Sequence, residues 1–203
     1  MKQITSAIAT LCAALLAPSA YADMQADHSG EIMVRARAVQ IDFNNSTNTA
    51  PLAGVNAANK TIPEVDFSYF FTSHIATELI LTYPQNITIN PSVGSVKALP
   101  PTLTVQYHFL PDSQSFRPYV GAGINYTRFS SYSLAGGALN GSSSSWGGAL
   151  QAGFDVPLTS TMTFNVDVKK TYMKTDISTA AGAPVGTLTL DPVLIGVGLG
   201  WKF

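Results

Sequence analysis

Three stretches of this sequence set charged residues two apart: Arg35 with Arg37, Glu64 with Asp66, and Asp167 with Lys169, while Glu78 stands alone. On an extended strand, residues i and i+2 share a face, so each pair projects from one side of its segment. Charges of both signs withdrawn from water need partners. Such a set can do one of two things. It can form a salt-bridged plug that rigidifies whatever encloses it, or a polar constriction on a path for solutes. Catalysis has less to stand on. The histidines are His28, His74 and His108, and Ser68, Ser113 and Ser115 are possible nucleophiles. None is spaced informatively from a base, and no metal-ligand spacing occurs. Neither an enzyme nor a cofactor is expected.

These residues must be positioned by a chain of 203 residues whose start reads as a targeting segment. Lys2 precedes an apolar run, Ile4 to Ala17, and Ala20-Tyr21-Ala22 is a small-x-small cleavage site. We expect residues 1–22 to be a cleaved signal peptide and residues 23–203 to be the folded domain. The run is shorter than the ~20 residues a membrane helix needs. The single cysteine, Cys12, lies inside the run behind bulky Leu11, which speaks against lipidation there. An exported chain left without cysteine needs some closure other than disulfides. Beyond the signal, 10 basic and 12 acidic residues remain, a balance that predicts no nucleic-acid partner. Charged residues make up 11% of the sequence, against about 25% in soluble domains. Leu79–Val96 and Ser130–Phe154 are uncharged, but their Pro, Asn, Ser and Gly content rules out membrane helices.

Alternation with period two runs through the rest. Eight segments approach the length of a barrel strand, about 9–11 residues: Glu31–Asp42, Ile62–Phe71, Ile75–Tyr83, Thr102–Phe109, Tyr119–Phe129, Trp146–Val156, Met162–Met173 and Leu188–Phe203. Their connections run long, short, long, short, long, short, long. The long ones, among them Ser130–Ser145 and Thr175–Thr187, are expected to be polar loops. This is the rule for outer-membrane barrels, whose turns are short on the periplasmic side and long outside. The expected fold is an all-β, eight-stranded antiparallel transmembrane barrel of the bacterial outer membrane, monomeric, with both termini periplasmic.

One face of each segment lacks charge and carries aromatics near its ends, as a lipid-facing surface with two aromatic girdles does. The other face carries charges and, in three strands, runs of glycine. Glycine suits crowded positions, and a small barrel's interior is just wide enough for side chains. In a soluble sandwich the two faces would be reversed. Met33, Phe70 and Ile80 share the lumenal parity, so apolar lumen contacts are also expected. Pro63, Pro84 and Pro192 remove ladder donors; they either open gaps in the wall or mark strand ends. Arg128 and Lys170 take the lipid-facing parity on either side of Trp146. They could bind lipopolysaccharide phosphates or snorkel toward loop carbonyls.

Two blocks carry a family resemblance: Leu99-Pro100-Pro101-Thr102 through Gln106-Tyr107-His108-Phe109 and Arg117–Thr127, and the ending Leu190-Asp191-Pro192 through Gly196–Phe203. They resemble the OmpW family. The terminal Trp201 and Phe203 also resemble the C-terminal signature of outer-membrane barrels, which implies reading by the barrel assembly machinery. The family resemblance implies a narrow apolar channel for passive passage of small hydrophobic molecules, with exit sideways through the wall as one route. The alternative is a non-transporting structural or surface-interaction barrel, and a soluble binding sandwich comes third. Expected partners are outer-membrane lipid, lipopolysaccharide and small hydrophobic solutes.

Overall fold

The computed structural model describes residues 28–43, 54–90 and 93–203; the expected signal segment lies outside the described residues. Eight strands form the wall: β1 (Ile32–Asp42), β3 (Lys60–Phe70), β4 (Ile75–Leu81), β7 (Thr102–His108), β8 (Arg117–Leu134), β10 (Ser144–Pro157), β11 (Met162–Thr171) and β14 (Val193–Lys202). Each pairs antiparallel with the next in that order, and β1 pairs β14, so the sheet closes on itself. Closure leaves no ladder edge to satisfy in an apolar medium.

The burial pattern settles which face is inside. Arg35, Asp66 and Glu78 are each 0% exposed, whereas Val105 is 58% and Leu150 53% exposed. The surface between the girdles is therefore aliphatic and the bore holds the charges, the reverse of a soluble sandwich. Aromatic pairs rim the outer surface at the end with short turns, among them Tyr69–Phe71 and Tyr107–Phe109 with ring centroids 5.0 and 5.1 Å apart. Tyr126 and Trp146 meet at 4.7 Å toward the end with long connections. The first is the turn end of the barrel and the second its loop end. Glycines admit bulk to the bore. A Cβ on Gly153 would lie 2.5 Å from the Tyr119 hydroxyl, and one on Gly200 would lie 3.0 Å from Arg35 Cγ.

Three of the expected loops are instead largely strand. β5 (Gln85–Asn90) and β6 (Gly94–Leu99) form a hairpin, as do β12 (Lys174–Thr179) and β13 (Pro184–Thr189), with short β2 (Asn56–Ala57) and β9 (Leu139–Gly141) beside them. Leu188 and Thr189 belong to β13, and the final wall strand starts only at Val193. These strands carry the wall beyond the aromatic level: β6 pairs the outer half of β8, and β9 pairs β12. Here the alternation inverts. On β1 the inward residues change from Arg35 and Arg37 to Val39 and Ile41, while the outward ones change from Ala36 and Ala38 to Gln40 and Asp42. On β8 the inward Thr127 gives way to Phe129, and the outward Ile124 to Arg128. Within lipid the apolar side faces out; beyond it, water makes the apolar side face in.

Candidate functional site

Strand register brings the lumenal charges together. Arg35 stands opposite Asp66, and Arg37 opposite Glu64, across the β1–β3 ladder. On the other flank the same arginines face Gly200 and Gly198, which leave them room. Arg35 forks onto Asp155, with Nε at 3.3 Å and Nη2 at 2.9 Å, and its Nη1 donates to Ser68 Oγ at 2.8 Å and Asp66 at 3.3 Å. Arg37 Nη2 lies 2.7 Å from Asp66, 3.0 Å from Glu78 and 3.1 Å from Glu64. Lys169 lies 3.5 Å from Glu64 and 3.7 Å from Asp167. All seven residues expected in a lumenal network are in one.

Further residues join Ser68 in the network, among them Thr104, which donates to Glu78 at 3.5 Å. Asp155 takes the Arg35 fork. Tyr119 donates to Asp167 at 2.9 Å, Asn165 donates to Tyr119 and Asp155 at 3.1 and 3.0 Å, and Gln151 donates to Glu78 at 2.9 Å. Asp155 and Gln151 had the right parity, but only the register of β10 on β11 shows them level with Asn165 and Lys169. With three cations, five carboxylates and no exposed member, the layer is a crosslinked partition across the bore.

Met33, Phe70 and Ile80 are all buried inside the bore, on either side of the charge layer. Met33 and Phe70 pack with Ala76 on its turn-end side, where Phe70 lies 5.0 Å from the His108 ring. They line a small pocket there with His28, His108, Asp155 and Lys202. Ile80 lines a larger cavity on the loop-end side, with about 670 Å³ of empty space, open solvent at its mouth included. Its walls come from Ile41, Ile62, Ile87, Ala98, Met173 and Leu194, and its floor includes Glu64 and Lys169 of the charge layer. Above it the inward faces of β5, β6, β8, β12 and β13 form a continuous apolar cluster including Ile89, Val96, Phe129, Ile177 and Leu188. The signal for these residues was Val39 and Ile41 continuing the Arg35–Arg37 parity, and Ile62 that of Glu64.

The prolines differ in their consequences. The β3–β4 ladder stops at Val65–Leu81. Beyond it, the Pro63 carbonyl accepts from the Thr82 hydroxyl at 3.2 Å. The N and C=O of one strand residue share an edge, so the missing donor of Pro63 faces this same interrupted seam. The Pro192 seam is bridged: the Thr171 amide donates to the Pro192 carbonyl at 3.1 Å and the Met173 amide to Asp191 Oδ1 at 2.8 Å. Lys170 donates to the Asp191 carbonyl and sits 5.8 Å from the Tyr172 ring centre, the arrangement of a snorkelling lysine. Arg128 is exposed on β8, and Trp146 is 68% exposed beside it. At the turn end the exposed ring of Phe203 closes the sheet, its amide donating to the Ile32 carbonyl at 2.8 Å. No group of His, Cys, Asp and Glu among the described residues could hold a metal ion.

Comparison with known proteins agrees with this architecture. The model of the OmpW family matches residues 28–203. Outer membrane protein W of Vibrio cholerae is 32% identical across the whole of both chains. The dibenzothiophene metabolism operon protein PahQ of Pseudomonas aeruginosa is 27% identical over 75% of this chain and 76% of its own. Among solved structures, the outer membrane protein OprG of Pseudomonas aeruginosa superposes with a TM-score of 0.67 at 26% identity, covering 89% of this chain and 99% of that one.

Proposed function

Because the chain belongs to the OmpW family of outer-membrane barrels, we propose that it admits small hydrophobic molecules from outside the cell and releases them sideways into the membrane. The observation that carries this reading is an apolar chamber standing directly on a closed ionic layer. An apolar solute gains by leaving water for the chamber. It cannot gain by going on through the charges, whose own partners it would displace without replacing. The wall at the chamber floor lacks ladder bonds at Pro63, where the seam is held by side chains, the Thr82 hydroxyl to the Pro63 carbonyl and, further out, Lys60 to the Asn86 carbonyl at 3.4 Å. A relative named for dibenzothiophene metabolism, which concerns an apolar aromatic, supports the same class of cargo.

In this reading the turn end and both termini face the periplasm, and the loop end faces outward. The chain works as a monomer, since closure leaves no strand edge to share. Trp201 on the last strand and Phe203 just past its end offer their rings to the assembly machinery, and Arg128 with Trp146 offers a contact to lipopolysaccharide. The test of the central claim is uptake of an apolar aromatic by cells with and without the protein. Faster uptake with the protein is expected. Equal uptake would leave a structural or surface-interaction barrel instead.

A further inference from the structure

The large cavity is apolar along its walls, yet two of its polar atoms are left over. Gln85 is 3% exposed and lines the cavity. Its Nε2 donates to the Tyr83 carbonyl at 3.0 Å and to the Thr82 hydroxyl at 3.3 Å. A carbonyl only accepts, so the amide orientation is fixed, and Oε1 is the atom without a hydrogen bond. Thr171, also 3% exposed and lining the cavity, has an unbonded Oγ1. The two stand on opposite sides of the bore: β4, from which Gln85 follows, lies four strands round the ring from β11. A dry cavity meant for pure hydrocarbon gains nothing from such atoms, since each unsatisfied buried group is a cost. A site that holds one favours the ligand that satisfies it.

The sign of the ligand's charge is also constrained. Lys169 on the floor is already paired with Glu64 and Asp167. Glu64 lines the same cavity, and the carboxylates of the layer below outnumber its cations. An anionic head group would meet that excess.

The geometry points to hydrophobic molecules bearing a neutral hydroxyl as the preferred occupants. The hydroxyl donates to Gln85 Oε1 or shares a proton with Thr171 Oγ1, and the hydrocarbon lies on Ile62, Ile87 and Met173. This rests on the chamber being a solute site. The test is equilibrium dialysis of decane, 1-decanol and decanoate against the protein in lipid nanodiscs, corrected with empty nanodiscs. The expected result is 1-decanol bound about tenfold more tightly than decane, the worth of one buried hydrogen bond, with decanoate no tighter than decane. Thr171→Val, which keeps shape, and Gln85→Met should each cut the alcohol's advantage and leave decane unchanged. Equal binding of alcohol and alkane, tightest binding of decanoate, or an alcohol advantage that survives both substitutions would overturn the inference while the chamber stands. No binding of any of the three would remove the chamber reading itself.

Discussion

Arg37 reaches three carboxylates from one nitrogen, and that makes it the least replaceable side chain in the bore. Removing one partner from a buried ionic cluster strands the others and costs about 3–5 kcal/mol. Arg37→Met should lower urea-unfolding stability in detergent micelles by that amount, and an unchanged midpoint would show the cluster to be hydrated. Replacing both Arg35 and Arg37 by alanine should open ion conductance in planar bilayers, because the partition then loses the groups that cross-link β1 to β3, β4 and β10. Arg128 and Lys170 are no longer equals. Lys170 is engaged with the Asp191 carbonyl, so Arg128→Ala should reduce stabilisation of the protein by added lipopolysaccharide and Lys170→Ala should not. Equal effects would return both to phosphate binding. At this scale the charges were legible, since they share parity in pairs. Asp155 and Tyr119 were not, because their membership depends on inter-strand register, which no single strand records.

Two features belong to whole segments. The β3–β4 seam should be the exit, so a disulfide between Pro63→Cys and Tyr83→Cys should stop uptake under oxidising conditions and restore it on reduction. The only native cysteine of the sequence is Cys12, within the expected signal segment. Uptake indifferent to oxidation would move the exit elsewhere. At the turn end, the segment before β1 is clamped across three neighbours. The His28 amide donates to Ser73 Oγ at 3.1 Å, its ring lies 2.7 Å from Glu31 and 3.2 Å from Asp112, and Lys202 reaches Glu31 at 2.9 Å. Burial alone would raise the Glu31 carboxyl, but the hydrogen bonds and charges of His28 and Lys202 outweigh it and hold the group below its ordinary range. A carboxyl depressed in the folded state adds stability that is whole above its unfolded value, about 4.3, and is lost as pH falls through the folded one. Glu31→Gln should therefore melt earlier than the parent at pH 7, and the gap should close as pH drops below about 4. The eight wall strands were readable because lipid on one side and packed charge on the other enforce a strict period of two. β5 escaped notice because Gln85, Ile87 and Ile89 point inward and Asn86, Thr88 and Asn90 outward, a soluble-type alternation in a run rich in polar residues that otherwise looks like loop.

The molecule as a whole is held together by closure and by the inversion of its faces. Its aliphatic belt, with Val105, Ile124 and Leu150 exposed, should keep it folded only in lipid or surfactant; a protein that stays folded and dispersed in plain buffer would contradict the orientation of every strand. The longest strand, β8, has 18 residues. At about 3.3 Å per residue and a tilt near 40° it climbs about 45 Å, whereas the greasy band of such barrels is about 25 Å tall. The surplus belongs to the stretch whose inner lining is apolar and whose outer side is wet. An oily molecule outside the cell ordinarily faces a hydrated sugar coat that repels it before any hydrocarbon is near. On the proposed reading, the apolar interior built by Ile89, Val96 and Phe129 gives such a molecule a greasy refuge above that obstacle, continuous with the chamber that stands level with the fatty interior.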